Sequence, residues 1–164
     1  MIYESVFREL HKDKVQYLVV GGVAVNLYGI LRATADLDLF VWLQNDENVK
    51  KFVGIMKRLG YRPRAPVPAE DLADPAKRRL WQEEKGALVF TFVHPNSFEQ
   101  VDIFLGEPIP FSEAFKKRRV MPVADFELSV VSIEDLKKMK EKAGREKDAS
   151  DLAHLKKLDQ LTDE

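Results

Sequence analysis

The sequence predicts an α/β (α+β) fold in which a mixed β-sheet is flanked by helices. Helix-like and strand-like segments alternate along the 164 residues, and helices placed between strands favour layered α/β or α+β architectures. An apolar fraction of 45% and a charged fraction of 32% are typical of folded globular proteins. We therefore expect a single domain over residues 1–164, with two C-terminal helices at residues 132–164.

The first 41 residues are predicted to form helix, strand, helix and strand. An apolar stripe from Tyr3 to Leu10 favours a helix, and Tyr17–Val20 is typical of a buried strand. Residues 36–41 alternate between charged and apolar side chains with the two-residue period of a strand. Between the two strands we expect a helix whose apolar face comprises Ala24, Leu27, Tyr28 and Leu31.

The middle of the chain predicts a helix, a proline-rich segment and a hairpin. Asn45 or Asp46 can cap a helix that ends at Gly60. Residues 61–86 contain four prolines, so we expect a variable loop region there, with a short charged helix from Ala76 to Lys85. Its basic residues are expected to be solvated and receive no role: Arg62, Arg64, Lys77, Arg78 and Arg79. Strands at 88–93 and 99–105 are expected to pair through a connection of four or five residues.

The C-terminal third predicts a short helix at 112–115, a solvated basic run at 116–119, and a last strand at 128–131. Ser132 opens a capping box that starts a helix, and Gly144 is placed to end it. The final helix is expected to use as apolar positions Leu152, Leu155, Leu158 and Leu161.

Two pairs of residues near the N-terminus suggest chemistry. Gly21 and Gly22 stand between strand and helix, where bare backbone can approach a ligand and a helix N-terminus favours phosphate. Asp36 and Asp38 lie on one strand face, with Cα atoms about 6.6 Å apart at roughly 3.3 Å per residue. Their oxygens can converge on Mg²⁺ or Mn²⁺. The two pairs together predict a site for a nucleoside triphosphate and a divalent metal.

Asp102 is the third acidic residue of interest. It lies among apolar residues at 101–105, where a charge is costly unless it is paired or binds a metal. The alternative is an aspartate at a sheet edge that faces solvent.

The run Val20-Gly21-Gly22, followed after thirteen residues by Asp36-Leu37-Asp38, resembles the signature of the nucleotidyltransferase superfamily of the DNA polymerase β type. With Gly29, Arg32 and Thr34 included, it looks most like small members: AbiEii-type toxins, minimal nucleotidyltransferases and lincosamide-modifying enzymes. The resemblance implies metal-dependent transfer of a nucleoside monophosphate from a nucleoside triphosphate to an acceptor hydroxyl. It also implies that Asp102 is the third carboxylate, either as catalytic base or as metal ligand. Many members have Ser where this chain has Gly22.

Residues 131–152 are similar to the C-terminal part of the AbiEii-like group. In that group a Lys before a glycine turn and an Arg-x-Lys-Asp run after it lie near the nucleotide cleft. These positions fall on Lys140, Arg145, Lys147 and Asp148. The residues alone are equally compatible with an ordinary charged helical hairpin. Arg32 and Thr34 likewise either contact the ligand or only position the metal-binding strand.

Other observations restrict the function. Zero cysteines exclude disulfides and thiolate zinc sites, and neither a dinucleotide-binding G-x-G-x-x-G nor a P-loop is present. We expect no membrane span and no signal peptide, and hence a cytoplasmic protein. The sequence does not distinguish between a small molecule, a tRNA and a protein as the acceptor. A homo-oligomer could complete the cleft. The alternative function is a non-catalytic nucleotidyltransferase-like module that binds nucleotide or RNA or acts in a toxin–antitoxin pair.

Overall fold

The computed structural model describes residues 1–162. The helices are α1 (Glu4–Lys12), α2 (Gly21–Leu27), α3 (Asp46–Arg58), α4 (Pro75–Lys85), α5 (Phe111–Lys116), α6 (Ile133–Ala143) and α7 (Glu146–Thr162), and a 3₁₀ helix spans Ala69–Ala73. The strands are β1 (Tyr17–Val20), β2 (Asp36–Val41), β3 (Arg62–Pro63), β4 (Val89–Val93), β5 (Gln100–Phe104), β6 (Arg119–Val123) and β7 (Phe126–Val130). The last two residues of the predicted helical region at 132–164 lie outside the described residues.

The strands form one mixed sheet in the order β3-β4-β5-β2-β1-β7-β6. β2 runs parallel to β5 and β1 runs parallel to β7, whereas the other neighbours are antiparallel. This architecture confirms the predicted fold class of a mixed sheet flanked by helices.

The alternating pattern of β2 separates core from site. Leu37 and Leu39 are fully buried on one face, where apolar side chains pack away from water. Asp36 and Asp38 occupy the opposite face, in register with Gln100 and Asp102 of β5. The sheet therefore places three carboxylates on one face of two adjacent strands.

The predicted helix ends at α3 and α6 are confirmed. The Asn45 side chain accepts a hydrogen bond from the Asn48 amide, and the Ser132 side chain accepts one from the Asp135 amide. α6 stops at Gly144, which adopts the left-handed conformation. These caps fix where the chain enters and leaves the helices that flank the sheet.

Helix α2 is shorter than predicted. It ends at Leu27, and Leu31 lies outside it with its side chain 99% exposed. The helical spacing of apolar residues wrongly placed Leu31 in this helix, because the chain turns at Gly29, whose amide donates to the Asn26 carbonyl. Residues 30–35 instead form a loop that leads into β2.

The prediction missed strand β6, which pairs only with β7 at the edge of the sheet. Its Pro122 lacks an amide proton and is tolerated at an edge strand, so the segment carries no clear strand signal. The β4–β5 connection is also longer than predicted, because residues 94–99 lie between the two strands.

Two further predictions about side chains are wrong. Arg78 is buried rather than solvated, because its guanidinium donates to the carbonyl oxygens of Leu72, at 2.7 Å, and Leu43, at 3.2 Å. Leu161 is exposed, whereas Leu155 is fully buried. Part of the inner face of α7 is instead occupied by Asp148 and Asp151, which are buried.

Candidate active site

Three carboxylates form one side of the site, which we call the acidic wall: Asp36, Asp38 and Asp102. The parallel register of β2 and β5 places Asp38 directly beside Asp102. β5 lies between β4 and β2, so the sheet-edge alternative for Asp102 is wrong. Within residues 1–162, no three acidic or histidine side chains already converge as a closed ligand cluster.

The negative charge of the acidic wall is only partly compensated by nearby cations. Burial raises the pKa of Asp38 to about 6, and the neighbouring Asp102 and Asp36 carboxylates add to this shift. Burial and the Asp102 charge also raise the pKa of Asp36, although Arg64 and Lys147 partly offset them. Carboxylates that repel each other in this way are stabilised by a cation that they share.

Polar neighbours hold the acidic wall in place. The Thr91 hydroxyl donates to Asp102 Oδ1 at 2.6 Å. The Gln100 side-chain amide donates to Asp36 Oδ2 at 3.3 Å and to Asp102 Oδ1 at 3.2 Å. Arg64 donates to the other end of the Gln100 amide, and this contact fixes which end faces the carboxylates. Gln100 therefore bridges two members of the acidic wall.

The glycine pair is required by close contacts within the site. Gly21 has φ of +66°, and a Cβ there would lie 2.2 Å from Asp38 Oδ2. A Cβ on Gly22 would lie 2.7 Å from the Thr34 hydroxyl. Gly21 thus lets the backbone pack against Asp38, and Gly22 leaves room for Thr34.

Opposite the acidic wall lies a group of cations from α6, the turn between α6 and α7, and the loop before β2, which pair with two aspartates of α7. The Lys140 ammonium contacts Asp148 at 3.1 Å and Asp151 at 3.0 Å, and all three side chains are buried. Arg32 contacts Asp151 at 2.8 Å, and Arg145 contacts Asp148 at 2.7 Å. We call these five residues the basic wall.

Asp148 is held in its ionised form by its cationic partners. Burial opposes the charge on Asp148, but hydrogen bonds from Arg145 and Lys140 outweigh it and lower the pKa of Asp148. Two buried carboxylates thus hold three cationic side chains at fixed positions, as charge-assisted hydrogen bonds do. Lys147 differs from these cations, because it forms no ion pair among residues 1–162 and its side chain is exposed.

A polar cavity of about 270 Å³ lies between the two walls. Its lining includes nine of the ten site residues predicted from the sequence: Gly22, Arg32, Thr34, Asp36, Asp38, Asp102, Lys140, Arg145 and Lys147. The tenth, Gly21, lines a larger neighbouring cavity instead. The prediction did not find Gln100, Thr91 or Asp151. Gln100 carried a usable signal, because it lies two residues before Asp102 on the same strand face.

The donor set of the acidic wall fits a hard divalent cation. Such ions prefer carboxylate oxygens. The acidic wall offers three carboxylates, and the charges of Asp102 and Asp36 raise the pKa of Asp38. The basic wall fits polyanionic oxygens, because Arg and Lys bind phosphate through charge-assisted hydrogen bonds. The cavity can therefore accommodate a phosphate chain between cations on one side and carboxylates on the other.

Comparison with known families agrees with this geometry. Residues 3–162 match the model of a family described as "Nucleotidyltransferase of unknown function (DUF6036)". The chain belongs to this nucleotidyltransferase family. Its general activity is therefore nucleotidyl transfer from a nucleoside triphosphate. The match also confirms the nucleotidyltransferase superfamily that the glycine and aspartate motifs predicted.

The nucleotidyltransferase is also similar to a solved structure, the lincosamide antibiotic adenylyltransferase LnuA bound to lincomycin. The two share 17% sequence identity, and the match covers 93% of each chain with a TM-score of 0.59. At this identity the likeness shows a common fold. No curated protein matches the sequence significantly. Among the described residues of the nucleotidyltransferase, no helix has the length and apolar character needed to cross a membrane.

Proposed function

We propose that this nucleotidyltransferase transfers a nucleoside monophosphate to an acceptor hydroxyl in a reaction that depends on Mg²⁺ or Mn²⁺. The observation that carries the proposal is the pairing of Asp38 with Asp102 in the β2–β5 register, beside a cavity whose opposite side is lined by cations. Phosphoryl-type transfer requires positioning and charge neutralisation more than covalent chemistry, and this arrangement offers both.

Asp36, Asp38 and Asp102 are the residues that would hold the metal. When bound, divalent cations stabilise the attacking and leaving oxygens of an in-line displacement. The acceptor hydroxyl loses its proton to Asp102, its oxygen bonds to the α-phosphorus, and the bond from that phosphorus to the bridging oxygen breaks. Pyrophosphate leaves with that oxygen and its electron pair.

The cavity cations serve the leaving group in this proposal. Lys140 and Arg145 are oriented by Asp148 and line the polar cavity, and we assign them to the β- and γ-phosphates. Arg32 and Thr34 come from the loop before β2, and Lys147 adds an exposed charge. Gly22 offers bare backbone in place of a hydroxyl.

Calorimetric titration with a non-hydrolysable ATP or CTP analogue tests the proposal. Wild type is expected to bind an analogue with Mg²⁺, and binding should weaken at least about tenfold, or roughly 1.4 kcal/mol, without the metal or in the Asp36→Asn/Asp38→Asn variant. A matched control is Glu47→Gln/Asp125→Asn, which removes two exposed charges elsewhere. Failure of wild type to bind any triphosphate analogue with metal would overturn the proposal.

The non-catalytic module is the second candidate. The observation that favours it is the pairing of Lys140 and Arg145 with internal carboxylates, which reduces the charge they offer a ligand. The acidic wall argues against this candidate, because a protein that only binds its ligand gains nothing from repulsion between three carboxylates. Analogue binding that is independent of metal would favour this second candidate. The AbiEii-like subtype, a toxin–antitoxin partner, a homo-oligomer and a cytoplasmic location stay predictions.

A further inference from the structure

A second cavity, of about 650 Å³, adjoins the polar one and shares four of its lining residues: Asp38, Asp102, Lys140 and Arg145. Its volume lies within the roughly 300–1,000 Å³ of pockets that hold small molecules. We call it the apolar cavity, because many of its other lining residues are apolar: Ala87, Leu88, Val89, Phe104, Pro108, Leu136, Met139 and Ala143.

The sheet explains why the two cavities differ in polarity. Side chains two residues apart on a strand share one face, so Gln100, Asp102 and Phe104 follow one another on the same face of β5. Val89 of β4 lies opposite Phe104 in the antiparallel register, one step beyond the pairing of Thr91 with Asp102. The face is therefore polar on the Gln100 side of Asp102 and apolar on the Phe104 side.

From this arrangement we propose that the apolar cavity binds the acceptor, and that the acceptor is a small molecule with a hydroxyl group on an apolar body. The inference rests on the proposed function. The attacking and leaving oxygens lie roughly in line across the phosphorus. The polar cavity offers cations that suit the leaving pyrophosphate, so the apolar cavity on the Phe104 side of Asp102 is left for the attacking hydroxyl.

The charges of the apolar cavity disfavour a nucleic-acid acceptor. Affinity for nucleic acid depends on Lys and Arg that neutralise phosphates. Of the cationic side chains that line this cavity, Lys140 and Arg145 are assigned to the leaving pyrophosphate, and Lys142 donates to the Pro108 carbonyl. Glu107 adds a carboxylate. An uncharged apolar body fits these surroundings better than a phosphodiester chain.

Two glycosides with the same sugar hydroxyls provide the test. Wild type, saturated with the ATP analogue and Mg²⁺, is titrated with n-octyl β-D-glucopyranoside below its micelle concentration and with methyl β-D-glucopyranoside. The octyl compound should bind at least about tenfold more tightly, because only it buries an alkyl chain. A single-stranded RNA pentanucleotide with a free 3′ hydroxyl should bind more weakly than the octyl compound.

Val89→Asp is the informative variant, with Val120→Asp as its matched control. Both valines lie on strands with similar exposure, 36% and 43%, and Val120 lines neither cavity. Val89→Asp should weaken octyl glucoside binding at least about tenfold while analogue affinity stays within about twofold. Val120→Asp should change neither. Leu88→Asp, at a position that is 81% exposed, repeats the test with little risk to folding.

Several results would overturn the assignment. Loss of analogue affinity in both Val89→Asp and Leu88→Asp would show that the cavity holds the nucleoside. Equal binding of the two glycosides, or tighter binding of the RNA, would contradict an apolar small-molecule acceptor. Each of these leaves metal-dependent analogue binding by wild type intact, so the proposed function survives. Absence of that binding contradicts the proposed function and removes the acceptor assignment with it.

Discussion

The acidic wall and the basic wall face each other across the polar cavity but balance their charges differently. In the acidic wall, burial raises the pKa of Asp38 to about 6, and the Asp102 and Asp36 carboxylates add to this shift. In the basic wall the three cations Lys140, Arg32 and Arg145 are paired with the two carboxylates Asp148 and Asp151. The basic wall is thus preassembled within the protein, whereas in the proposed function a bound cation completes the acidic wall.

The largest expected effect is on catalysis by the acidic wall. Asp38→Asn should lower the rate of pyrophosphate release during transfer by about 10³-fold, because it removes charge from the proposed metal site. The protein should remain folded, since the variant also removes repulsion. Asp125→Asn, at an exposed position that pairs with Arg8, should leave the rate unchanged. A decrease below about tenfold in Asp38→Asn would remove this residue from the proposed metal site.

The basic wall should respond mainly in stability. Asp148→Asn is expected to reduce the free energy of unfolding by about 4 kcal/mol, because buried Lys140 then keeps only Asp151, which it shares with Arg32. The measurement is urea denaturation followed by circular dichroism. Lys140→Met/Asp148→Leu should cost less than Asp148→Asn alone, since it removes both charges. A cost below about 1 kcal/mol for Asp148→Asn would contradict the preassembled arrangement.

Stability of the metal-free protein should depend on pH through Asp38. Its native pKa of about 6 exceeds the ordinary aspartate pKa of 3.8, so the native state binds more protons than the unfolded state between these values. Stability therefore falls as the pH rises from about 4 to about 6. At pH 7.5 Asp38→Asn should be more stable than wild type by up to about 3 kcal/mol, and near pH 3.5 the two should match. Thermal melts in EDTA at both pH values check this, and an equal difference at both would contradict it.

Gln100 should show a smaller effect. Gln100→Leu keeps the volume but removes the amide that bridges Asp36 and Asp102. The metal concentration needed for half-maximal analogue binding should rise about tenfold, as is typical when a residue that orients metal ligands is lost. Gln44→Leu changes an exposed glutamine as the control. An unchanged metal requirement would show that the bridge does not position the carboxylates.

The sequence pattern predicted much of the acidic wall because strand periodicity is local. The alternation at Asp36 and Asp38 determines their common face, and the same logic applies to Asp102 within β5. That β5 lies beside β2 is a matter of topology between distant segments, for which the resemblance to nucleotidyltransferases was needed. Gln100 was missed because its role depends on that same pairing.

The basic wall was predicted less completely. Lys140 and Arg145 were expected near phosphates. The pairing of Lys140 with Asp148 and Asp151 depends on how α6 packs on α7, which no local pattern encodes, whereas Arg145 pairs with Asp148 only three residues away. Asp151 had no signal of its own in a charged helix. Arg78 was misassigned for a similar reason, because its carbonyl partners come from the 3₁₀ helix and from the segment after β2.

Manganese binding followed by electron paramagnetic resonance tests most directly whether a cation completes the acidic wall. Mn²⁺ is titrated into wild type, Asp36→Asn/Asp38→Asn and the control Glu47→Gln/Asp125→Asn, with and without the non-hydrolysable ATP analogue. We predict that wild type and control bind Mn²⁺ at least about tenfold more tightly when the analogue is present, because Mn²⁺ and the analogue share one site. The acidic-wall variant should lose this enhancement. Equal enhancement in the acidic-wall variant, or none in wild type, would contradict the account.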